Sequence, residues 1–360
     1  MSIESLSPKE KSTFYGLVSS PSSSDRQLSE QTGLKISTVT AIRNRLRRQG
    51  CFRTVRIPHL ERIGGELLVV SYTRLNPLRP KDEMQRVLRD VAGGAEDVFF
   101  AFADQFGMLA FSLCRNYTDA WTGAERIPQM LSDRGALSPD RSRPEVSLFP
   151  LDQTRFLRFF DFSGFLGASL GLEHGGAAAQ PNLRTDSAPP RRLTRLEKKI
   201  YLGLTRYPEL SDNGVAKRIG AARQSVSKLR KRFESERLLV QAQMPDMLRM
   251  GAEMISVAWY EFGPGVSLSM RRKGMEWSLR ELPAVFQLAG IHDGMAILLE
   301  RRFEDLQRHL AEAARFYMEK GLLRQPPRII NLAVGDVIVA KDFSFGPAVK
   351  RILGVDEKGK

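Results

Sequence analysis

The sequence predicts an α+β protein in which one two-domain arrangement occurs twice. Three observations predict this class. The first half of the 360-residue chain recurs in the second half at a constant spacing. Each half begins with a three-helix pattern whose third helix is basic, and each continues with strands and helices in the order β-α-β-β-α-β. These are the patterns of a winged helix-turn-helix followed by a ferredoxin-like domain.

The internal repeat has a spacing of 187 residues, which is the distance from Leu6 to Leu193. Further identities follow at the same spacing without a gap: Glu10 and Glu197, Gly33 and Gly220, Val39 and Val226, Arg43 and Arg230, Arg45 and Arg232, and Gly107 and Gly294. A last match, Asp161-Phe162-Ser163 against Asp342-Phe343-Ser344, has a spacing of 181. Chance does not hold one register for about a hundred residues, so the sequence predicts a tandem duplication.

The repeat and the composition together predict five segments. These are a first winged helix-turn-helix (1–57), a first ferredoxin-like domain (58–170), a linker (171–192), a second winged helix-turn-helix (193–244) and a second ferredoxin-like domain (245–360). The linker is rich in glycine, alanine and proline, a composition typical of a flexible connection.

The first copy begins with signals for three short helices. Ser7-Pro8-Lys9-Glu10 combines an N-cap, a proline at the first helical position and a capping-box glutamate. A second helix is predicted from Asp25 to Gly33, and Gly50 ends the third. Cys51 to Arg56 is suited to one strand of a wing. The order predicts a helix-turn-helix, while a plain three-helix bundle stays open.

The third helix, residues 35–48, has an apolar stripe and a basic, hydrogen-bonding face. Val39, Ile42 and Leu46 recur at helical spacing and are predicted to face inward. The other side begins with small polar residues and ends with arginines, an order that suits DNA base edges and phosphates. The residues predicted to contact DNA are Ser37, Thr38, Thr40, Asn44, Arg45, Arg47 and Arg48.

The second copy has a third helix of the same kind. Val226, Leu229 and Phe233 are predicted to face inward. The residues predicted to contact DNA here are Arg223, Gln224, Ser227, Lys228 and Lys231.

Composition narrows the function classes. The formal net charge is +14, which favours a polyanionic partner and, with the basic helices, double-stranded DNA. The two cysteines, Cys51 and Cys114, are far apart, and none of the four histidines has metal-ligand spacing. The sequence shows no signal peptide and no membrane-spanning run. We therefore predict a cytoplasmic protein without a metal, a cofactor or a membrane partner.

Each copy then continues as a ferredoxin-like domain. In the first copy the predicted elements are strand 67–75, helix 81–91, strands 98–103 and 108–114, helix 119–134 and a last strand within 144–160. In the second they are strand 254–262, helix 268–282, strands 285–289 and 295–300, helix 303–320 and strand 329–339. The open face of such a sheet is most simply covered by another sheet. We therefore expect the two copies to pair within one chain as a pseudo-dimer, with further homo-oligomers left open.

This combination resembles the leucine-responsive and asparagine-responsive (Lrp/AsnC) family of prokaryotic regulators. The residues that carry the resemblance are Gly33-Leu34 to Arg45-Leu46, Gly50 and the connector from Pro58 to Gly64. The resemblance implies a DNA-binding transcriptional regulator with no catalytic residues. It also places an amino-acid-like effector at the turn that contains Gly290, Asp293 and Gly294. A plain β-hairpin turn is the alternative for this Asp-Gly signal.

An enzymatic alternative shares the fold. Sirohaem decarboxylases resemble the same family and use histidine and arginine near the connector for carboxylates of haem precursors. Here His59 lies in the connector with Arg56 and Arg62. Asp246 stands at the matching position of the second copy, so the feature is not repeated. A third class, a scaffold without a nucleic-acid role, would leave both basic helices unexplained.

Overall fold

The computed structural model describes residues 3–140, 143–172 and 190–355. The predicted linker, 171–192, lies mostly outside these residues. The described residues form twelve α-helices and twelve β-strands. Among them, no helix is long and apolar enough to cross a membrane.

The first half runs in the following order: α1 (Pro8–Ser19), α2 (Asp25–Thr32), α3 (Ile36–Arg48), β1 (Phe52–Pro58), β2 (Leu67–Arg74), α4 (Lys81–Gly94), β3 (Val98–Ala103), β4 (Gly107–Cys114), α5 (Tyr117–Asp133), β5 (Glu145–Pro150), β6 (Arg155–Arg158) and α6 (Ser163–Leu170). The second half repeats this order: α7 (Arg195–Arg206), α8 (Asp212–Ile219), α9 (Arg223–Ser235), β7 (Leu239–Pro245), β8 (Met254–Glu261), α10 (Leu268–Glu281), β9 (Ala284–Ala289), β10 (Asp293–Glu300), α11 (Phe303–Glu319), β11 (Arg328–Ala333), β12 (Ile338–Lys341) and α12 (Phe345–Leu353). The chain is therefore of the α+β class.

Local sequence signals explain where the first helices start and end. The Ser7 hydroxyl accepts from the Glu10 amide, and the Glu10 carboxylate accepts from the Ser7 amide, so a capping box starts α1. Thr194 and Glu197 do the same for α7. Helix α2 ends at Gly33, whose φ of 68° is accessible to glycine at little cost.

The contacts group the chain into two compact units, and each unit combines segments from both copies. One unit contains Met1–Thr54, Thr154–Arg184 and Ala242–Gly335, and the other contains Val55–Gln153, Thr185–Gln241 and Asp336–Lys360. We call them unit 1 and unit 2. This grouping differs from the linear succession of domains predicted from the sequence. The first three helices of each half (α1–α3 and α7–α9) group with the sheet of the other half.

Each unit contains one five-stranded antiparallel sheet. In unit 2 the strand order is β12-β3-β4-β2-β5, and in unit 1 it is β11-β8-β10-β9-β6. Four adjacent strands of each sheet have the ferredoxin-like arrangement. The fifth is exchanged: β12 follows the second domain but pairs with β3, and β6 follows the first domain but pairs with β9. The single last strand predicted within 144–160 is therefore two strands, which belong to different sheets.

The strand pairing corrects the register of the repeat by one residue. In unit 2, Phe111 pairs with Phe100 before a bulge at Phe99. In unit 1, Ile297 pairs with Phe286 before a bulge at Val285. From β3 onward the two sheets therefore correspond at a spacing of 186. The connection between α10 and β9 is one residue shorter than the connection between α4 and β3.

The last sequence match is out of register by two residues. The amide of Asp161 donates to Val285 O at 2.7 Å, and the amide of Ser344 donates to Phe99 O at 2.7 Å. Asp161 therefore corresponds to Ser344 and not to Asp342. The similarity of the two Asp-Phe-Ser segments does not reflect equivalent positions.

Candidate functional site

The outer face of α3 is partly exposed and partly engaged inside unit 1. Ser37, Asn44 and Arg48 are exposed, while Thr38 is half-buried. Val39, Ile42 and Leu46 are the buried residues of the helix. The predicted apolar stripe of α3 is therefore confirmed.

Three of the residues assigned to DNA have partners within unit 1. Arg45 forms an ion pair with Glu10, whose side chain is 7% exposed. The Thr40 hydroxyl donates to Asp25 at 2.5 Å. The Arg47 guanidinium lies over an aromatic ring of β1, 5.7 Å from its centroid. These contacts hold α3 against its neighbours. The three side chains therefore contribute to the conformational stability of unit 1.

The corresponding helix α9 shows the same division in unit 2. Arg223, Gln224, Lys228 and Lys231 are exposed, and Ser227 is half-buried. The arginine that corresponds to Arg45 pairs with the capping glutamate of α7, as in the first copy.

The connector of the first copy lies in unit 2 and is tied to α7 and α9. The Arg62 Nη1 donates to the backbone oxygen of Glu236 at 2.6 Å. The Arg56 Nη1 donates to the backbone oxygen of Leu204 at 3.3 Å. His59 is buried, and its Nδ1 lies 3.4 Å from the Arg62 amide nitrogen.

Burial and nearby charges act on Arg56 of the connector in opposite directions. Burial lowers the pKa of Arg56, while acidic groups that include Glu234, Asp212 and Glu209 raise it. Glu236 forms an ion pair with Arg191. The Nη1 groups of Arg56 and Arg62 therefore connect the connector to α7 and to the end of α9.

The turn predicted to bind an effector connects β9 with β10 in unit 1. The Gly290 amide donates to Asp293 O at 2.8 Å, which closes the turn. A Cβ atom at Gly294 would lie 2.3 Å from the ring of Tyr260. Glycine is thus required there because an aromatic ring covers the backbone. Burial raises the pKa of Asp293.

A set of buried polar side chains lies beyond this turn, between the sheet of unit 1 and its two helices α10 and α11. We call this set the polar layer. Its members are Ser256, Tyr260, Ser278, Gln287, Glu300 and Tyr317. All except Tyr260, which is half-buried, are less than 9% exposed. None of its members is among the site residues predicted from the sequence.

Hydrogen bonds connect much of the polar layer. The hydroxyls of Ser278 and Tyr317 are hydrogen-bonded, and Tyr317 also donates to Gly274 O at 3.0 Å. The hydroxyl of Tyr260 donates to Leu288 O at 2.8 Å. At the other end, the Glu300 carboxylate lies 2.5 Å from His309 Nδ1. Burial raises the pKa of Glu300, and His309 opposes this increase.

Two atoms of the polar layer have no hydrogen-bond partner among the described residues. They are Oε1 of Gln287 and Oγ of Ser256, and their residues are 1% and 0% exposed. A buried polar atom without a partner costs about 1–3 kcal/mol, so natural proteins seldom keep one without a reason. This is a feature that points to a ligand.

Five of the six equivalent positions of the first domain are apolar, and the sixth, Thr73 in place of Tyr260, is polar and buried. Ala110 pairs with Ala101 as Ala296 pairs with Gln287, so Gln287 corresponds to Ala101. By the same comparison of strand pairs, Ser256 corresponds to Val69 and Glu300 to Cys114. Because the matching helices have equal lengths, Ser278 corresponds to Val91 and Tyr317 to Leu131. Five members of the polar layer therefore have apolar counterparts, although the helix side of the first sheet carries buried polar residues of its own at Ser71, Thr73 and Ser112. A repeat alignment at a spacing of 186 would have revealed the Gln287 substitution.

No protein-family model matches this sequence, and no curated protein matches it significantly. Solved structures do match its fold. The crystal structure of the siroheme decarboxylase NirDL matches with a TM-score of 0.53 and 9% sequence identity, over 96% of this chain and 98% of that chain. NirDL with an iron-uroporphyrin III analogue matches with a TM-score of 0.50 and 10% identity, over 92% of each chain.

Single-unit regulators match a smaller part of the chain. The leucine response regulatory protein LrpA of Mycobacterium tuberculosis matches with a TM-score of 0.31 and 18% identity, over 40% of this chain and 91% of that chain. The structural neighbours thus include regulators of this kind over part of the chain.

These comparisons correct the predicted function. The structures that match nearly the whole chain are those of an enzyme. The predictions of a transcriptional regulator without enzymatic activity, and of double-stranded DNA and an amino-acid-like effector as partners, are therefore wrong. A basic helix face does not by itself indicate DNA binding, because basic side chains also neutralise buried carboxylates, as Arg45 does for Glu10. Within the described residues, no group of three or more His, Cys, Asp or Glu side chains is placed to hold a metal ion.

Proposed function

We propose that this chain is a decarboxylase that acts on a tetrapyrrole with several carboxyl groups. The observation that carries the proposal is the fold match to siroheme decarboxylase NirDL over 96% of this chain. The second NirDL structure holds an iron-uroporphyrin III analogue, which makes a carboxylated iron tetrapyrrole the first ligand to test. The net charge of +14 also favours a polyanionic ligand.

The reaction sets clear chemical requirements. The bond between a side-chain carbon and its carboxyl carbon breaks, the side-chain carbon keeps the electron pair and takes up a proton, and CO₂ leaves. The protein must hold the macrocycle, bind its carboxyl groups and exclude water from the reacting one.

The connector is a poor place for these tasks. Arg56 and Arg62 each keep a buried Nε without a hydrogen-bond partner among the described residues, which favours a carboxylate ligand. The Nη1 of each, however, donates to a backbone oxygen of unit 2. We therefore propose that the connector is structural, and that the substrate binds elsewhere.

We also infer that the chain arose by duplication of a unit made of a winged helix-turn-helix and a ferredoxin-like domain. The identical order of elements in the two halves supports this. In this interpretation, α1–α3 and α7–α9 are helix-turn-helix scaffolds that stabilise the enzyme.

The test is to incubate the purified chain with sirohaem and, separately, with iron uroporphyrin III under anaerobic conditions. We expect a shift of the tetrapyrrole absorption band on binding and a stepwise loss of CO₂, detected by mass spectrometry of the extracted tetrapyrrole. Heat-denatured protein is the control. An unchanged absorption spectrum together with an unchanged tetrapyrrole mass would refute the proposal.

A further inference from the structure

We propose that the polar layer of unit 1 is the place where carboxyl side chains of the tetrapyrrole bind, and that the first domain has no such site. This inference rests on the proposed function. Gln287 and Ser256, with their unpartnered oxygens, are the proposed contacts. Both side chains lie on the helix side of the sheet, since Gln287 is two residues from Ala289 and Ser256 is two residues from Ala258, and both alanines lie on that side.

The chemistry of the layer suits a carboxyl group. The Ser256 hydroxyl can donate to a carboxylate oxygen, and the Gln287 Oε1 can accept from a protonated carboxyl. The hydroxyls of Tyr260, Ser278 and Tyr317 add neutral groups of the same kind. These neutral partners suit a protonated carboxyl group, because burial of the ionised form without a cation would cost free energy.

The spacing suits a ligand with more than one carboxyl. Strand β10 separates β8, which carries Ser256, from β9, which carries Gln287. Adjacent strands lie about 4.8 Å apart, so the two contacts are separated by about 10 Å across the sheet. A compact amino acid cannot reach both positions, whereas a macrocycle with carboxyl groups around its edge can.

The edge of the layer offers a flat apolar surface. Trp277 of α10 stacks on Phe316 of α11, with ring centroids 4.2 Å apart and planes inclined by 8°. Both rings are half-buried, so each keeps surface that a ligand can contact. A planar macrocycle stacks well on aromatic rings. The corresponding residues of the first domain are Asp90 and Met130, which present no such surface.

The sheet residues next to the polar layer have small side chains, which leave space between the sheet backbone and the helices. Ala258, Ala289, Gly294 and Ala296 lie on the same side of the sheet as the polar residues. The polar and aromatic groups therefore stand above a floor of small residues. This arrangement is typical of ligand pockets, in which apolar walls surround a few polar groups.

The test measures binding of iron uroporphyrin III to the full chain by quenching of tryptophan fluorescence. The variants are Gln287→Leu, which nearly keeps the volume, and Ser256→Ala, which removes only the hydroxyl. Ser256→Ala removes only a buried oxygen without a partner, so thermal stability should be unchanged or higher, whereas Gln287→Leu also removes a hydrogen bond to Tyr260, so its stability is measured alongside binding. We expect about tenfold weaker binding for each variant, because each loses one hydrogen bond to the ligand.

Ser71→Ala is the matched control. Ser71 is a buried serine on the helix side of the first sheet, and it corresponds to Ala258. We expect this variant to bind as the wild type does. Trp277→Leu should weaken ligand binding, followed by absorption, because it removes an aromatic ring on which we propose that the macrocycle stacks.

The outcomes separate the two proposals. Wild-type binding and decarboxylation, with equal binding by Gln287→Leu and Ser256→Ala, would overturn this site and leave the proposed function intact. A wild type that neither binds nor decarboxylates the tetrapyrrole would overturn both. Weaker binding by these two variants and by Ser71→Ala alike would also overturn the site, since the effect would not be specific to unit 1.

Discussion

Phe343 stacks on Phe100 in unit 2, with ring centroids 4.1 Å apart and planes inclined by 7°. In unit 1, Phe160 lies 4.8 Å from Phe286 in the equivalent place. Phe343 and Phe160 each follow an exchanged strand by two residues, and their φ values of 28° and 51° are unusual for phenylalanine. A bulky residue keeps such a backbone only where its surroundings hold it. The aromatic pair therefore anchors the exchanged strand to the sheet.

The first prediction concerns this anchor. Phe343→Ala should lower the free energy of unfolding by about 3–5 kcal/mol, because it removes a buried ring and leaves a cavity. Chemical denaturation followed by circular dichroism measures the change. Phe106→Ala is the control, since the Phe106 side chain is 63% exposed, and its effect should stay within about 0.5 kcal/mol. Equal stability of the two variants would contradict the proposed anchor.

The second prediction concerns a buried lysine on the exchanged strand β12. The Lys341 Nζ donates to Ala95 O at 2.8 Å, near the end of α4. Arg158 on β6 is its counterpart and donates to three backbone oxygens near the end of α10. Burial lowers the pKa of Lys341 from 10.5 to about 8, although Asp97 opposes the decrease.

The sign of the pH effect follows from this lowered pKa. Between about pH 8 and 10.5 the unfolded chain binds a proton at Lys341 that the folded chain has lost, so the Lys341 contribution to stability rises with pH in this range. Below about pH 8 both states are protonated and the folded state bears the full cost. The unfolding free energy of the wild type minus that of Lys341→Met should therefore increase from pH 8 to 10.5. A constant difference over this range would contradict the prediction.

The third prediction concerns the ion pair between Arg45 and Glu10. Burial would raise the pKa of Glu10, but hydrogen bonds from Ser7 and the charge of Arg45 outweigh it, and the pKa lies below its usual value. Arg45→Ala should lower the free energy of unfolding by about 1 kcal/mol at neutral pH, since it leaves a buried carboxylate with fewer partners. Thermal or urea unfolding measures this change. Arg48→Ala, at an exposed position of the same helix, should have an effect below about 0.5 kcal/mol.

Acid should remove the Arg45 effect. Because the folded pKa of Glu10 is lowered, its contribution to stability is present above the unfolded pKa and is lost as the pH falls through the folded value. The difference between wild type and Arg45→Ala should therefore shrink in acid. A difference that persists after Glu10 is protonated would show that the charge pair is not its cause.

The fourth prediction concerns Gly294 beneath Tyr260. Gly294→Ala should destabilise unit 1 by about 1–3 kcal/mol, because the new Cβ would meet the Tyr260 ring and force it to move. Tyr260 belongs to the polar layer, so tetrapyrrole binding should weaken as well. Gly335→Ala is the control, because a Cβ atom there meets nothing within 4 Å. Denaturation curves for the two alanine variants that coincide would contradict this prediction.

The sequence by itself determined the repeat and most of the helices and strands, because capping boxes, glycine stops and apolar periodicity act within a few residues. It also indicated the buried face of α3, where Val39, Ile42 and Leu46 recur at helical spacing. It did not reveal that β6 and β12 change places, because the partner of a strand depends on packing between distant segments.

Only the tertiary structure decided which charged and polar residues have partners. Arg45 resembles a DNA-binding residue in the sequence, yet it neutralises a buried carboxylate. Gln287 resembles an isolated polar residue in an apolar strand, yet its side chain is buried beside the hydroxyl of Tyr260 from another strand, and its Oε1 has no partner among the described residues. Such roles depend on burial and on neighbours far along the chain, and a one-residue change of register is enough to hide them.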